Sequence, residues 1–238
     1  MIGTLINVGT IIVGSFIGLL IGSRLSENIR KTIIAGLGLF TIAYGLISFI
    51  ETSNALVPLG GLLIGALLGE WWRIEEGLNK VGRLLRDAVI RKERDGVQQK
   101  KFVEGFVTSS LVFVIGPIAI LGSIQDGLTG DYEMLVIKAV LDGFASIAFA
   151  SSLGVGVAFS SLTILIYQGL ISLLAGLFSH YFSAAMMNEM TAVGGLILIA
   201  IGISSLLEIK KIRTGSFLPA LLVAPLIVFI LERFFGGY

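Results

Sequence analysis

The chain has 238 residues, of which 55% are hydrophobic and 14% are charged, and its mean hydropathy is +0.96. An ordinary globular domain carries roughly 25% charged residues, so this composition excludes a soluble surface and predicts an all-α integral membrane protein. A net charge of +1 argues against a nucleic-acid partner. The absence of cysteine excludes disulfides and thiolate chemistry, and one histidine is too few for a zinc motif with two.

Eight apolar runs are each long enough to cross a membrane, which takes about 20 residues. The region 138–180 is nearly continuous, and we divide it into two crossings because it is too long for one helix across a core of roughly 30 Å. The predicted transmembrane helices are 2–23, 32–50, 55–72, 102–123, 138–159, 160–180, 190–207 and 215–232.

Basic residues predict the orientation, because loops rich in Lys and Arg remain cytoplasmic. They lie between the first and second helices, between the third and fourth, and after the seventh. With eight crossings, all of these loops fall on one side and both termini on the other. We therefore expect a multi-pass membrane protein with both termini outside.

The segment 71–95 is predicted to lie on the membrane as an amphipathic helix. It opens with Trp71 and Trp72, and basic residues fill the face opposite its apolar side. We interpret it as a cytoplasmic interfacial helix, which serves either as a connector or as a docking element. Its apolar positions are Ile74, Leu78, Val81, Leu85 and Val89.

An internal repeat relates the two ends of the chain. Residues 35–51 align without gaps on 192–208, and eight of 17 positions are identical. The matched helices are an odd number of crossings apart, so the copies enter the membrane from opposite sides. We predict a single transmembrane domain (1–238) of two inverted halves, 1–125 (including the interfacial helix) and 138–238, a plan typical of secondary transporters.

Helices four and five are predicted to be broken near mid-membrane. Gly116-Pro117 interrupts the fourth, because proline lacks an amide hydrogen and clashes with the preceding turn. Ser151, Ser152 and Gly154 mark the fifth. Freed backbone groups are tolerated in lipid beside a cavity or a protein partner, where they can bind an ion or solute.

Ionisable and polar side chains inside a membrane are functional candidates, because burying them costs several kcal/mol. Asp142 is the strongest, with an ion pair to Lys138 as the structural alternative. We expect Glu104 and Lys138 in supporting positions, and the sequence leaves any metal undecided. The predicted ion or substrate site comprises Ser109, Ser110, Gly116, Pro117, Ser123, Asp126, Asp142, Ser151, Ser152, Gly154 and Gln168.

Two glycine ladders predict close helix approaches. Each places glycines four residues apart on one helix face. They serve either a homo-oligomer or packing inside one subunit. The ladders are Gly14, Gly18, Gly22 and Gly61, Gly65, Gly69.

No nucleotide-binding or hydrolase motif is present, so we expect neither an enzyme nor a cofactor, although an intramembrane transferase would need no long motif. The preferred hypothesis is a secondary carrier of a small ion or polar solute. An ion channel and a non-transporting scaffold or accessory subunit remain alternatives. The expected partners are the lipid bilayer and that ion or solute, with no nucleic acid.

The segment GPIAILGSIQDGL (116–128), with Lys138–Asp142 and Tyr167–Gly169, resembles a bacterial family of uncharacterised multi-pass inner-membrane proteins, domain of unknown function 554. The similarity extends from the opening MIGTLINVGTIIVGSFIG almost to the end of the chain. This resemblance implies a cytoplasmic membrane location and a transport role. It implies no particular substrate.

Overall fold

The computed structural model describes residues 1–24, 26–89, 96–115, 117–178 and 183–235, and in these ranges the chain is helical without a β-strand. A π-helical turn, Gly202–Leu206, extends α10, and a 3-10 turn, Thr214–Phe217, precedes α11. The helices are α1 Ile2–Gly22, α2 Glu27–Ile50, α3 Leu56–Trp71, α4 Ile74–Val89, α5 Gly96–Val114, α6 Pro117–Thr129, α7 Glu133–Leu153, α8 Gly156–Leu173, α9 Ala175–Phe178, α10 Ala184–Ile201 and α11 Ala220–Phe235.

Six helical segments of the described chain are long and apolar enough to cross a membrane, and α5 with α6 makes a seventh if the bent pair is one crossing. The all-α membrane class is therefore confirmed. The predicted number of eight is larger because α3, although apolar, has 16 residues. At 1.5 Å per residue it is shorter than a hydrocarbon core of roughly 30 Å.

The connection between α5 and α6 is sharply bent. The axes of Gln99–Val114 and Ile118–Thr129 differ by 66°. Pro117 begins α6, where its missing amide hydrogen is tolerated because the first turn of a helix has no intrahelical acceptor for it. Gly116, the other residue of the predicted break, lies outside the described residues.

The structure places Gly154 between two helices and not inside one. Helix α7 is continuous to Leu153, and Gly154 has φ 86°, a conformation that favours glycine because it has no Cβ. Helix α8 begins two residues later at Gly156. The boundary between the fifth and sixth predicted helices, expected at 159/160, therefore lies earlier. Gly154, which was expected to break the fifth helix, lies in the turn that ends it.

Contacts divide the chain into two compact units. The first comprises Met1–Leu37, Leu78–Val114 and Ile118–Ser179, and contains α1 and α5 to α9. The second comprises Gly38–Gly77, Ile115–Pro117 and His180–Tyr238, and contains α3, α10 and α11. Helix α2 contributes its first part to the first unit and its remainder to the second.

Glycines allow close parallel packing in the first unit. The backbone at Gly14, Gly18 and Gly22 lies against α7 near Gly143, Ile147 and Ser151, respectively, so a Cβ on any of the three would collide with a carbonyl oxygen there. Residue numbers rise together along both helices, so α1 and α7 run in the same direction. Helices α5 and α8 are also parallel, because Gly156 lies against Phe102 and Ser110 against Thr163.

Glycines in the second unit instead join antiparallel helices. Gly61, Gly65 and Gly69 of α3 lie against Ala224, Ala220 and Ser216. Both glycine ladders thus pack inside the chain, in agreement with the second of their two interpretations. A homo-oligomer stays a prediction.

Helix α4 covers Ile74–Val89 of the segment predicted to be amphipathic, and its place at the membrane surface stays a prediction. Gly82 faces α5, close to Phe106 and Val103. Val81 and Leu84 are exposed beside it, as are both tryptophans that precede the helix. The rest of the predicted segment, 90–95, lies outside the described residues.

Candidate functional site

The main polar cluster of the first unit lies where α1, α7 and α8 meet. Asn7 Nδ2 donates to Asp142 Oδ2 at 3.0 Å and lies 3.4 Å from Gln168 Oε1. Lys138, one turn before Asp142 on α7, forms an ion pair with the same carboxylate oxygen. Asn7 and Gln168 have no solvent exposure, and the two charged residues are buried. We call these four residues the Asp142 cluster.

This cluster exists because three helices present polar residues toward one another. Lys138 and Asp142 are four residues apart and therefore share a face of α7. Parallel packing against the glycine face of α1 brings Asn7 to their level, and α8 supplies Gln168 from the opposite direction. In a bilayer, such groups must pair inside the bundle.

Several buried polar atoms beside this interface lack a hydrogen-bond partner. In native proteins about 90% or more of such groups are paired with protein or ordered water. The unpartnered atoms therefore indicate positions for water or a solute. On α1, α7 and α8 they are Thr4 Oγ1, Asn7 Oδ1, Ser15 Oγ, Ser146 Oγ and Gln168 Nε2.

Asp126 lies in a second polar contact of the same unit. Its Oδ2 accepts the amide hydrogen of Gly3 at 3.1 Å, and its Oδ1 lies 2.8 Å from the amino group of Met1. Nearby, the Ser172 hydroxyl donates to the carbonyl oxygen of Ser123 at 2.9 Å. Asp126 therefore fixes the start of α1 against α6, which is a structural explanation for its burial.

The other predicted site residues make their hydrogen bonds elsewhere. Ser109 donates to the Gly105 carbonyl, and the Ser110 hydroxyl lies 2.9 Å from that of Thr163 on α8. Ser151 and Ser152 are close to each other at the last turn of α7. The structure thus brings together Asp142, Lys138 and Gln168 from the prediction. The remaining predicted residues that the structure describes are distributed along α5, α6, the turn at Gly154 and the last turn of α7.

Glu104 lies on α5 and is partly buried. Its supporting role stays a prediction. The side chain of Pro117 lies outside the described residues. Within the described part of the chain, no group of three or more His, Cys, Asp or Glu residues could hold a metal ion.

Sequence reasoning missed a buried carboxylate in the second unit. Glu189 has no solvent exposure, and its Oε1 accepts the Ser53 amide hydrogen at 2.9 Å. The Thr52 hydroxyl lies 2.8 Å from Oε1 and 2.7 Å from Oε2. The predicted seventh helix began at residue 190, whereas α10 begins at Ala184. The N-cap at Ser183, which accepts from Met186 N, was the signal that would have placed Glu189 inside it.

A second group of charges in that unit links α3, α4 and the 3-10 turn. Arg213 forms ion pairs with Glu70 at 2.6 Å and with Glu76 at 3.3 Å. Glu75 accepts the Gly215 amide hydrogen at 2.6 Å. These side chains are partly exposed, so they act as a surface connection and not as a desolvated site.

The helical fold and its long apolar helices define a polytopic membrane protein, and its polar cluster is buried among three of those helices. Residues 2–229 match the family described as Protein of unknown function (DUF554), and the chain belongs to that family.

Two relatives are similar over almost their whole lengths. One is "Uncharacterized membrane protein YdfK" of Bacillus subtilis (strain 168), 31% identical over 238 residues and covering 98% of both chains. The other is "Uncharacterized protein YqgA" of Escherichia coli (strain K12), 32% identical over 224 residues and covering 94% of both chains. No solved structure matches the chain.

Proposed function

We propose that the protein is a secondary carrier of a small ion or polar solute, and that the Asp142 cluster is its binding site. The observation that carries this proposal is a buried ion pair with two carboxamides among helices that cross a membrane. Stability gives no reason to keep such a group, because replacing a buried ion pair by apolar residues is often neutral or stabilising. Polar groups in transmembrane helices mark solute and ion routes.

The directions of the helices support eight crossings, which place both termini on the same side of the membrane. The basic loops make that side the outside, because loops rich in Lys and Arg remain cytoplasmic. In the order predicted from the sequence, the first and fifth crossings run the same way, as α1 and α7 do. The fourth and sixth also run the same way, as α5 and α8 do, provided that the bent pair counts as one crossing. In the second unit, the third and eighth crossings must be opposed, as α3 and α11 are. The exposed Val81 and Leu84, after two tryptophans, suit α4 to the cytoplasmic interface.

Packing in the second unit supports the inverted repeat. The alignment of 35–51 with 192–208 pairs Gly38 with Gly195 and Gly45 with Gly202. Gly45 lies against Gly195, and Gly202 lies against Gly38. Each contact becomes the other when every glycine is replaced by its match, as two-fold symmetry requires. Gly45 also faces Ile199, whose counterpart Ile42 faces Gly202. Two halves related in this way are the usual frame of a carrier that alternates its access.

The experiment uses the purified protein reconstituted into liposomes. A thermal-shift screen with salts, amino acids, sugars and organic acids identifies solutes that stabilise the folded protein. Counterflow of the labelled solute is then measured in vesicles loaded with an unlabelled excess. Trans-acceleration supports a carrier. A conductance without trans-acceleration overturns the carrier in favour of a channel, and a folded protein with neither activity supports a scaffold.

Asp142→Asn tests the site within the same assay. The matched control is Glu133→Gln, because Glu133 is an exposed acid in the first turn of the same helix. A carrier that uses the cluster loses counterflow in Asp142→Asn and retains it in Glu133→Gln. A folded Asp142→Asn protein with undiminished counterflow removes the cluster from the transport site.

A further inference from the structure

Polar residues on α1 continue beyond the Asp142 cluster on the same face. Thr4, Asn7, Ile11 and Ser15 are spaced by three or four residues, and none has solvent exposure. All but Ile11 carry a side-chain oxygen without a partner. The face is therefore polar at both ends and apolar in the middle.

The antiparallel helix α8 repeats this pattern at the same depths. Ile11 follows Asn7 by four residues, and Ile164 precedes Gln168 by four, so both isoleucines lie about 6 Å from the Asp142 cluster on the same side. Ile164 is also fully buried. Four residues further along, α1 has Ser15 and α8 has Ser160, again at one level.

Helix α7 adds a hydroxyl at the level of these serines. Ser146 follows Asp142 by four residues on the same face. Its Cβ lies 3.2 Å from where a Cβ on Gly14 would stand, next to Ser15. We call Ser15, Ser146 and Ser160 the serine layer, and Ile11 with Ile164 the isoleucine layer.

Building on the proposed carrier function, we propose that the serine layer is a second binding position for water and for the hydrogen-bonding groups of the solute. The isoleucine layer is the gate between it and the Asp142 cluster. The solute passes from one polar layer to the other when the isoleucine layer opens.

The chemistry of the layer favours uncharged hydrogen-bonding groups. Hydroxyls both donate and accept, and two of the three, Ser15 and Ser146, have no partner, whereas Ser160 donates to the Val157 carbonyl. Leaving a buried hydroxyl unpaired costs about 1–3 kcal/mol, which a bound water or solute group offsets. Packed apolar side chains block such a route by excluding water.

The absence of cysteine from the sequence makes the test direct, because single-cysteine variants need no altered background. Ser146→Cys is treated with a neutral hydroxyethyl methanethiosulfonate. The control is Phe144→Cys, two residues away on α7, where the side chain is exposed on the apolar outside of the helix and has apolar surroundings in a bilayer. A hydrated Ser146→Cys reacts about tenfold or more faster, because apolar surroundings suppress the reactive thiolate. Equal rates in folded proteins overturn the serine layer. Ser15→Cys repeats the measurement if Ser146→Cys does not fold.

The gate is tested by adding a membrane-impermeant reagent to the side of the membrane on which α1 begins. Ile11→Ala in the Ser146→Cys protein accelerates modification from that side, since it shortens the apolar barrier. Ile12→Ala, a change at an exposed neighbour on α1, leaves the rate unchanged. Equal acceleration by both substitutions overturns the gate.

These measurements require no transported solute. If the cysteines at the serine positions react but the protein shows no counterflow, the result supports the serine layer and overturns the carrier. Counterflow in a protein whose cysteines at the serine positions do not react supports the carrier and overturns the serine layer.

Discussion

The two units of the molecule treat buried polarity differently. In the second unit, both oxygens of Glu189 accept hydrogen bonds from the turn that follows α2, so the carboxylate caps a chain segment. In the first unit, Asn7, Ser146 and Gln168 retain unpartnered atoms around an ion pair. The first arrangement is explained by stability. The second is not, and for this reason we assign the proposed function to the first unit.

Removing one partner of the Lys138–Asp142 pair should have the largest effect. Lys138→Met leaves a buried carboxylate with Asn7 as its remaining donor, and we expect a loss of about 3–5 kcal/mol in the free energy of unfolding. Thermal unfolding of the purified protein measures it. Lys31→Met, at an exposed pair with the same spacing, should cost less than about 1 kcal/mol.

The double variant Lys138→Met, Asp142→Asn should recover most of that stability, since no charge remains unpaired. It should not recover counterflow. If Lys138→Met lost no more stability than Lys31→Met, the Lys138–Asp142 pair would be solvated. The contrast between the two units would then weaken.

Glycine packing should be comparably important in both units. Gly18→Ala places a Cβ against the Ile147 carbonyl, and Gly65→Ala places one against the Ala220 backbone. We expect each to cost about 1–3 kcal/mol, read from unfolding of the purified variants. Gly9→Ala is the control because a Cβ there meets nothing within 4 Å. It should stabilise α1 by up to about 1 kcal/mol.

Glu189→Gln should separate stability from transport. Glutamine keeps an acceptor for Ser53 but loses the charge that strengthens these hydrogen bonds, so we expect a loss of about 1 kcal/mol. Counterflow by the folded variant should stay at the wild-type rate. A selective loss of counterflow would place a functional acid in the second unit and break the contrast.

The surface connection at Arg213 should have the smallest effect. Arg213→Gln removes two partly exposed ion pairs, and the expected loss of stability is below about 1 kcal/mol. It should shrink further at high salt, because exposed charges are screened. Unfolding curves at low and high ionic strength measure both. A loss that is large and independent of salt would contradict this assignment.

Hydropathy was sufficient to indicate the long apolar helices, because apolar length is a property of local sequence, but it misplaced the ends of several. It could not show that α7 ends at Gly154, since a glycine after two serines can break a helix or end it. The relevant signal, a positive φ, exists only in the folded backbone. By contrast, Asp142, Lys138 and Gln168 were identifiable from the sequence, because they are polar residues in apolar runs.

Asn7 was not among the predicted site residues, and its role depends on the parallel contact of α1 with α7. That contact joins residues about 135 positions apart. No local pattern specifies it, although the glycine ladder at Gly14, Gly18 and Gly22 indicated that some helix would approach closely. Ser109 and Ser110 were predicted as site residues but are not part of the cluster. Ser109 forms its hydrogen bond within α5, and Ser110 forms one with Thr163 of α8.

The sequence separation between Asn7 and its partners has a consequence for biosynthesis. Helix α1 leaves the ribosome before α7 and α8, so the carboxylate of Asp142 that accepts the Asn7 amide hydrogen is made later, and Gln168 later still. During that interval Thr4, Asn7 and Ser15 have neither partner helix. We expect the insertion machinery or a chaperone to hold α1 at a polar surface until α8 emerges, because contacts this distant form late. Truncated nascent chains that end before α8 should leave α1 crosslinked to the translocon, and chains that include it should release α1 into lipid.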